Sequence, residues 1–169
     1  MKLPNGFESV GEIDLQLPNG GTVMISKSMP EFSPWQGKPL DDDYNGKQVL
    51  DYGGTPMFAE LVILRHFENT GWQGVWVDSF KNSFLTKWIE SIELPNVQRK
   101  LWQNIQRQKG SRGGCFDIFC WKRDAVLFIE SKRCGKDRIR PSQTRWLEAA
   151  LTIGLPIKSF HVVEWTLKI

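Results

Sequence analysis

Residues 115–146 read "CFDIFCWKRDAVLFIESKRCGKDRIRPSQTRW" and hold the pattern that decides the fold. Two apolar segments, 115–121 and 125–132, flank a three-residue turn, which predicts two antiparallel strands. The second segment ends in Glu130 and Lys132. Buried charges are costly unless they are paired or bind an ion. The end of this strand is therefore the first place to look for function.

The rest of the chain predicts a mixed α/β fold. The alternating stretch 12–28 around "PNGG" predicts a β-hairpin, and the Pro-, Gly- and Asp-rich stretch 29–47 predicts a loop. Helix and strand signals follow in the order α, β, α, β, β, α, β, which favours a mixed sheet with helices packed on it. The remaining predicted helices are 54–72, 94–110 and 140–154, and the remaining strands are 74–80 and 157–165. Thr55 and Pro56 are typical of a helix start, which places the first helix there.

Length and composition favour one domain of an intracellular protein. The chain has 169 residues, of which 40% are hydrophobic and 24% charged. It has no apolar run of membrane-spanning length and no signal-peptide pattern, so we expect a cytoplasmic protein of bacterial or phage type. Its three cysteines match no zinc motif. Residues 1–60 hold 4 Lys/Arg and 9 Asp/Glu, whereas 61–169 hold 18 and 10, so the second part is the candidate for contact with a polyanion.

Three polar residues of the predicted hairpin are expected to meet at one edge of the sheet. Asp117 lies in the first strand, where propensity disfavours it. Side chains two positions apart share a face, so Glu130 and Lys132 point the same way. Because Asp117 begins the first strand and Glu130 ends the second, antiparallel pairing brings the two carboxylates together. An ion pair at the strand end is the alternative for Glu130 and Lys132 alone.

Two further polar residues fall on apolar helical stripes. Glu60 lies within the inward stripe of the first predicted helix, and Gln143 extends the buried stripe of the third. Asp78 and Glu68 compete with Glu60 for the same role, but the helical stripe favours Glu60. Clustered carboxylates with few histidines suit Mg²⁺ or Mn²⁺. Such an ion activates a bound water for attack on phosphorus, and a lysine beside it positions that water or stabilises the transition state.

The pattern D-(x12)-E-x-K resembles the PD-(D/E)XK nuclease superfamily, and the following "DRIRPSQTRWL" resembles its VRR-NUC group. The resemblance is clear over about residues 110–165. It implies a restriction-endonuclease-like α/β fold, a mixed sheet flanked by helices with an αβββαβ-type core, over residues 55–169. Residues 1–54 would then be an N-terminal hairpin and loop extension. Two positions depart from the pattern, because Phe116 stands where the family name carries Pro and Ser131 where an apolar residue is common.

The resemblance also implies residue roles. Metal would be held by Glu60, Asp117, Glu130 and the backbone carbonyl of Ser131, Lys132 would be catalytic, and Gln143 would support the site. The implied activity is a Mg²⁺- or Mn²⁺-dependent DNA endonuclease, with structure-specific cleavage and a homodimer as expectations.

The basic residues around this pattern predict the DNA contact. Phosphate neutralisation would dominate their contribution to affinity without setting sequence. The expected DNA-binding residues are Arg107, Lys109, Arg112, Lys136, Arg138, Arg140 and Arg145. Junction, flap or duplex DNA are the candidate partners, and no membrane is expected. Two alternatives stay open, namely a nucleic-acid-binding module that has lost activity and a sequence-specific nuclease of restriction or toxin type.

Overall fold

The computed structural model describes residues 2–79 and 81–169, which form a mixed α/β fold with one large sheet flanked by three helices. None of the helices in these residues is long and apolar enough to cross a membrane. In chain order the elements are β1 (Gly11–Gln16), β2 (Thr22–Ser28), β3 (Glu31–Phe32), β4 (Val49–Tyr52), β5 (Thr55–Phe58), α1 (Ala59–Glu68), β6 (Gln73–Asp78), β7 (Ser83–Lys87), β8 (Glu90–Ile92), α2 (Asn96–Lys109), β9 (Ile118–Lys122), β10 (Ala125–Arg133), α3 (Pro141–Thr152), a 3₁₀ turn (Ile157–Ser159) and β11 (Phe160–Leu167).

The sheet is mostly antiparallel and has β10 near its middle. Its strand order is β1-β2-β11-β10-β9-β6-β7-β8, and β3 pairs with the end of β11. The pairs that β11 forms with β2, β3 and β10 are parallel, and the other pairs are antiparallel. The return from β10 to β11 runs through α3, as a parallel connection requires. The predicted hairpin of β9 and β10 is confirmed, and it lies in the interior of the sheet.

Helices cover the sheet on both faces, and the alternation of side chains along β10 shows how. Leu127 and Ile129 belong to the hydrophobic cluster that includes α1. Phe128, one position between them, faces the opposite cluster, stacks on Phe119 with 4.5 Å between ring centroids, and contacts Trp146 of α3. Because both faces are buried, the strand is a nearly continuous apolar run, as its sequence predicts.

The N-terminal segment is built into this architecture. β2 pairs in parallel with β11, so the β1–β2 hairpin extends the large sheet at one edge. Phe7, Phe32 and Leu50 are buried in the same hydrophobic cluster as α1. β4 pairs with β5, which joins residues on both sides of position 54.

The predicted start of the first helix is wrong. Residues Thr55–Phe58 form β5, which pairs with β4 in a tight hairpin, and α1 begins only at Ala59. Gly53 and Gly54, with φ of 58° and 86°, form the turn of this hairpin. Two successive positive φ values are typical of a type I′ turn, which glycine adopts without steric cost. The Gly-Gly turn therefore determines the structure of residues 55–58, and the helix-start signal of Thr55 and Pro56 does not.

Other predicted elements shift by a few residues. Strand 115–121 begins later, at Ile118, because Asp117 lies just before the ladder. Strand 157–165 opens with the 3₁₀ turn, and β11 starts at Phe160. Strand 74–80 corresponds to β6, and Phe80 lies outside the described residues. The β7–β8 hairpin has no counterpart among the predicted elements. In α2, Val97 is 73% exposed, whereas Gln98 and Ile105 are buried.

Candidate active site

Asp117 and Glu130 lie side by side where the β9–β10 ladder ends. The last paired residues of the two strands are Ile118 and Ile129, so the two carboxylates follow directly at the open end. The backbone N–H of Asp117 donates to Glu130 Oε2 at 3.2 Å, and the N–H of Ser131 donates to Asp117 Oδ2 at 3.0 Å. These reciprocal bonds fix both carboxylates to the two strands.

Glu130 is fully buried, and two side chains satisfy one of its oxygens. The Lys132 ammonium and the Gln143 amide both donate to Glu130 Oε1. Lys132 comes from the same face of β10, two positions along, and its side chain is only 13% exposed. Gln143 comes from the first turn of α3 and is also buried. The buried carboxylate therefore carries a compensating positive charge and a hydrogen bond, as burial of a charge requires.

The start of α3 orients the Gln143 amide. Its Oε1 accepts the backbone N–H of Arg140 at 2.9 Å, which leaves its NH₂ group to donate to Glu130. This is the helix-capping arrangement in which the third residue of a helix bonds back to the residue before it. Pro141 at the first helical position, where its missing N–H costs nothing, sharpens the start.

Glu60 reaches the site from the opposite face of the sheet. It lies in the first turn of α1, is 5% exposed, and Lys47 Nζ lies 2.6 Å from its Oε1. Its other oxygen, Oε2, is buried and has no hydrogen-bond partner among the described residues. Glu60 and Lys47 line a pocket of about 310 Å³, whose other walls include Ser131, Arg133, Asp137 and Trp165.

Lys47 is a site residue that sequence reasoning missed. It ends the stretch 29–47, in which proline, glycine and aspartate predict a loop and nothing about the local pattern singles out one lysine. The structure brings it to Glu60 from a loop that precedes β4. The sequence gives only an indirect indication. Glu60 lies on a buried helical stripe, so its negative charge needs a cation from elsewhere in the chain.

Burial and mutual repulsion perturb the carboxylates. The protein around Asp117 removes it from water and Glu130 repels its negative charge, and together they raise the pKa of Asp117 to about 8. Burial likewise raises the pKa of Glu60, and Asp117 adds to this while Lys47 opposes it. Burial on its own lowers the pKa of Lys47, but the negative charges of Glu60 and Asp117 reverse this, so that the pKa is raised overall. Perturbed carboxylates of this kind cluster at functional sites.

The two competitors of Glu60 are engaged elsewhere. Glu68, at the far end of α1, forms an ion pair with Arg65. Asp78 ends β6 and accepts hydrogen bonds from the Tyr44 hydroxyl at 2.7 Å and the backbone N–H of Lys81 at 3.1 Å. Glu60 is the carboxylate of α1 whose pKa the negative charge of Asp117 helps to raise.

The donor set fits a hard divalent cation in its chemistry. Its atoms are carboxylate oxygens and the Ser131 carbonyl at the end of a strand, the ligand types that Mg²⁺ and Mn²⁺ take. Glu60, which lines the pocket, has a buried acceptor, Oε2, without a donor among the described residues. Among the residues described, no three His, Cys, Asp or Glu side chains are gathered closely enough to hold a metal ion as they stand. The ammonium groups of Lys47 and Lys132 lie against two of the carboxylates.

The basic residues expected to contact DNA lie on α2 and the loop after it, on the loop after β10 and at the start of α3. All of them are exposed apart from the half-buried Lys109, and within the described residues none forms a salt bridge. These residues are Arg107 and Lys109 of α2, Arg112 of the following loop, Lys136 and Arg138 of the loop after β10, and Arg140 and Arg145 at the start of α3. Burial and the nearby charge of Arg145 lower the pKa of Lys109, which shows that the end of α2 and the start of α3 are close in space.

Gly114 lets the basic loop approach α3. It has φ of 76°, and a Cβ atom at this position would lie 2.3 Å from the carbonyl oxygen of Ser142. Only glycine permits this close approach of backbone to backbone. The loop that carries Arg112 is thereby held against the helix start that carries Gln143.

Searches against protein-family models, curated proteins and solved structures returned no match to this chain. The arrangement offers buried carboxylates beside a lysine, and exposed cations that form no salt bridge among the described residues. It is suited to chemistry on a polyanionic substrate.

Proposed function

We propose that this protein is a Mg²⁺- or Mn²⁺-dependent endonuclease that hydrolyses phosphodiester bonds in DNA, with a site of the PD-(D/E)XK type similar to the VRR-NUC group. The observation that carries the proposal is the contact of Lys132 with the buried Glu130, next to Asp117, at the end of the β9–β10 hairpin. A strand-end ion pair alone would not need Asp117 beside it. It would also not explain why the Gln143 amide donates a hydrogen bond to the same Glu130 oxygen.

The fold supports the same proposal. A helix packs on one face before the first central strand, the hairpin β9–β10 presents the carboxylates, and α3 leads back to a parallel strand. A restriction-endonuclease-like αβββαβ core would run from α1 through β6, β9, β10 and α3 to β11. The β7–β8 hairpin and α2 would then be insertions between β6 and β9.

The chain's own residues would divide the work as follows. Glu60, Asp117, Glu130 and the Ser131 carbonyl would hold the divalent ion, which when bound supplies an acidic water and neutralises charge on the phosphoryl oxygens. Lys132 would orient the attacking water and stabilise the negative charge that develops on phosphorus-bound oxygens. Gln143 would hold Glu130 and thereby Lys132 in place, since it donates to the same oxygen as the lysine.

DNA is the proposed substrate because the cations around the site are exposed and lack acidic partners among the described residues. Such cations bind phosphates and release counterions, which gives affinity without regard to sequence. Proteins use them to position the backbone of a nucleic acid while other contacts, or the shape of the nucleic acid, set selectivity.

The test is cleavage of a set of DNA substrates with Mn²⁺, with Mg²⁺ and with a chelator. Plain duplex, flap and four-way junction substrates would be compared with wild type, Lys132→Ala and Asp117→Asn. We expect metal-dependent cleavage by the wild type, and a loss of about 100-fold or more in either variant. Lys158→Ala is the matched control, because this exposed lysine lies in the 3₁₀ turn before β11 and should leave cleavage unchanged.

Each outcome distinguishes the alternatives. Folded protein that binds DNA but cleaves none of the substrates in any metal would contradict the proposal and identify a binding module. Cleavage confined to one duplex sequence would identify a sequence-specific nuclease of restriction type. Preference for the flap or junction would define the structure-specific activity.

A further inference from the structure

We propose that Lys47 is a built-in cation that occupies the Glu60 side of the candidate metal site and is displaced when a divalent ion binds. The inference rests on the proposed function, because it assumes that Glu60 is a ligand. It assigns to the loop before β4 a control over metal affinity.

The contact between Lys47 and Glu60 is close and sheltered. Lys47 Nζ lies 2.6 Å from Glu60 Oε1, the Glu60 side chain is 6% exposed, and that of Lys47 is 30% exposed. The ammonium thus lies against the carboxylate of α1 that is proposed to bind the ion.

The loop that carries Lys47 is anchored, so this position is not accidental. The Tyr44 hydroxyl donates to Asp78 Oδ1 at 2.7 Å, and the Lys47 N–H donates to the Asp43 carbonyl at 2.9 Å. The Lys47 ammonium also lies over the Trp76 ring, 5.1 Å from its centroid. Such a contact stabilises a cation at the edge of the protein. The loop therefore delivers the ammonium to one place.

The ammonium leaves the site incompletely satisfied. Glu60 Oε2 is buried and has no hydrogen-bond partner in the described part of the chain. A buried acceptor without a donor costs free energy. A divalent ion has more charge and more coordination positions than an ammonium, so it would satisfy the Glu60 carboxylate more fully. The pocket beside Glu60 also gives the released lysine a route to solvent, because Lys47 lines it.

Competition makes a measurable prediction. If Lys47 and the ion exclude each other at Glu60, removing the ammonium raises metal affinity. We would titrate Mn²⁺ into metal-free wild type, Lys47→Met, Lys47→Arg and Lys81→Met by calorimetry. Lys81 is the matched control, because its ammonium lies over the rings of Tyr44 and Trp88 at 5.5 and 5.0 Å but contacts no carboxylate of the site.

We expect Lys47→Met to bind Mn²⁺ about tenfold more tightly than wild type or more, which is typical of two ligands coupled through one site. Lys47→Arg, which retains the charge, and Lys81→Met should stay within a few-fold of wild type. Equal affinity of wild type and Lys47→Met, or weaker binding by Lys47→Met, would overturn the inference and leave the proposed nuclease intact. Absence of Mn²⁺ binding by all four proteins would overturn both.

A measurement on the wild type covers the case in which Lys47→Met does not fold. Lysine acylation, followed peptide by peptide in a mass spectrometer, would be compared with and without saturating Mg²⁺. Displacement predicts that the metal increases labelling of Lys47 several-fold while labelling of Lys81 stays constant. Labelling of Lys47 that does not change at a Mg²⁺ concentration shown to saturate the protein would contradict the inference.

Discussion

The Gln143 side chain links the start of α3 to Glu130 at the end of β10. Its NH₂ group donates to Glu130 Oε1, the oxygen that also receives the Lys132 ammonium, and its carbonyl oxygen is held by the backbone N–H of Arg140. If Glu130 binds an ion, as proposed, this link would keep its geometry when the ion and the substrate bind. The site therefore depends on a residue that would itself touch neither.

The first prediction concerns this link. Gln143→Ala should lower metal-dependent cleavage by about 10- to 100-fold, the range seen for residues that orient a metal ligand. Mn²⁺ affinity measured by calorimetry should fall with it, which a loss of DNA binding would not cause. Gln103→Ala, at an exposed position of α2, is the matched control. Unchanged Mn²⁺ affinity in Gln143→Ala would contradict the orienting role.

The second prediction concerns the buried ion pair of Lys132 and Glu130, whose side chains are 13% and 0% exposed. Lys132→Met leaves the Glu130 charge without its cation, and should lower the free energy of unfolding in metal-free buffer by about 3 kcal/mol. The double variant with Glu130→Gln removes the charge as well, so it should recover at least about 1 kcal/mol of this loss. Urea unfolding of the wild type, Lys132→Met, Glu130→Gln and the double variant measures the coupling between the two side chains. Additive losses would show that the two groups act independently.

The hairpin that carries these residues is the part of the molecule that its sequence predicts best. Two apolar segments around a short turn define β9 and β10, and a partner strand covers each outer edge of this hairpin. Asp117, Glu130 and Lys132 could be singled out because they are charged residues where burial predicts apolar ones. Gln143 stands out in the same way, on a helical stripe.

Other parts required the tertiary structure. Residues 55–58 carry a helix-start signal, yet pairing with β4 outweighs it, because the Gly53–Gly54 turn closes a hairpin that local propensity does not register. The β7–β8 hairpin turns at Trp88 and Ile89, which are not turn-forming residue types, so nothing marks it in the sequence. Lys47 comes to Glu60 through folding of a loop, and no spacing rule connects the two.

The third prediction concerns acid stability and His161 of β11. Burial lowers the pKa of His161 to about 4, and its ring nitrogens contact the hydroxyls of Ser26 and Ser28 at 2.8 and 2.9 Å. Between pH 6.5 and 4 the unfolded chain binds a proton that the folded chain does not, so the folded state loses stability as pH falls through this window. The contribution of His161 to this loss should be about 3 kcal/mol between pH 7.5 and pH 4.

His161→Gln removes this titration. Its own free energy of unfolding should therefore change by about 3 kcal/mol less than that of the wild type over the same pH interval. Urea unfolding at both pH values gives the change in the free energy of unfolding for each protein. The contributions of the carboxylates, which both proteins share, cancel when the two changes are compared. An equal pH dependence of the two proteins would show that His161 is protonated in the folded state.

The fourth prediction separates backbone strain from steric clash at two glycines. Gly114 and Gly135 have similar φ values, 76° and 70°, but a Cβ would meet Ser142 only at Gly114, and at Gly135 it would meet nothing within 4 Å. Gly135→Ala should cost about 1 kcal/mol from its φ alone. Gly114→Ala should cost at least about 2 kcal/mol more, because the backbone of the loop or of α3 must move. Thermal unfolding of both variants measures the difference, and equal costs would contradict the close approach.

The last prediction concerns the exposed cations beside the site. Arg138, in the loop after β10, and Arg145, on α3, are both exposed and form no salt bridge among the residues described. If each contacts a phosphate, Arg138→Gln combined with Arg145→Gln should weaken binding of every DNA sequence alike. The slope of log affinity against log salt should then fall by about 2.

The matched control is Arg123→Gln, in the turn at the other end of the β9–β10 hairpin, which should leave the slope unchanged. Fluorescence anisotropy over a series of salt concentrations gives both the DNA affinity and its salt slope. Ca²⁺ in place of Mg²⁺ prevents cleavage during the measurement. A loss restricted to one sequence would show that these arginines read bases, and an unchanged slope would place the DNA elsewhere on the protein.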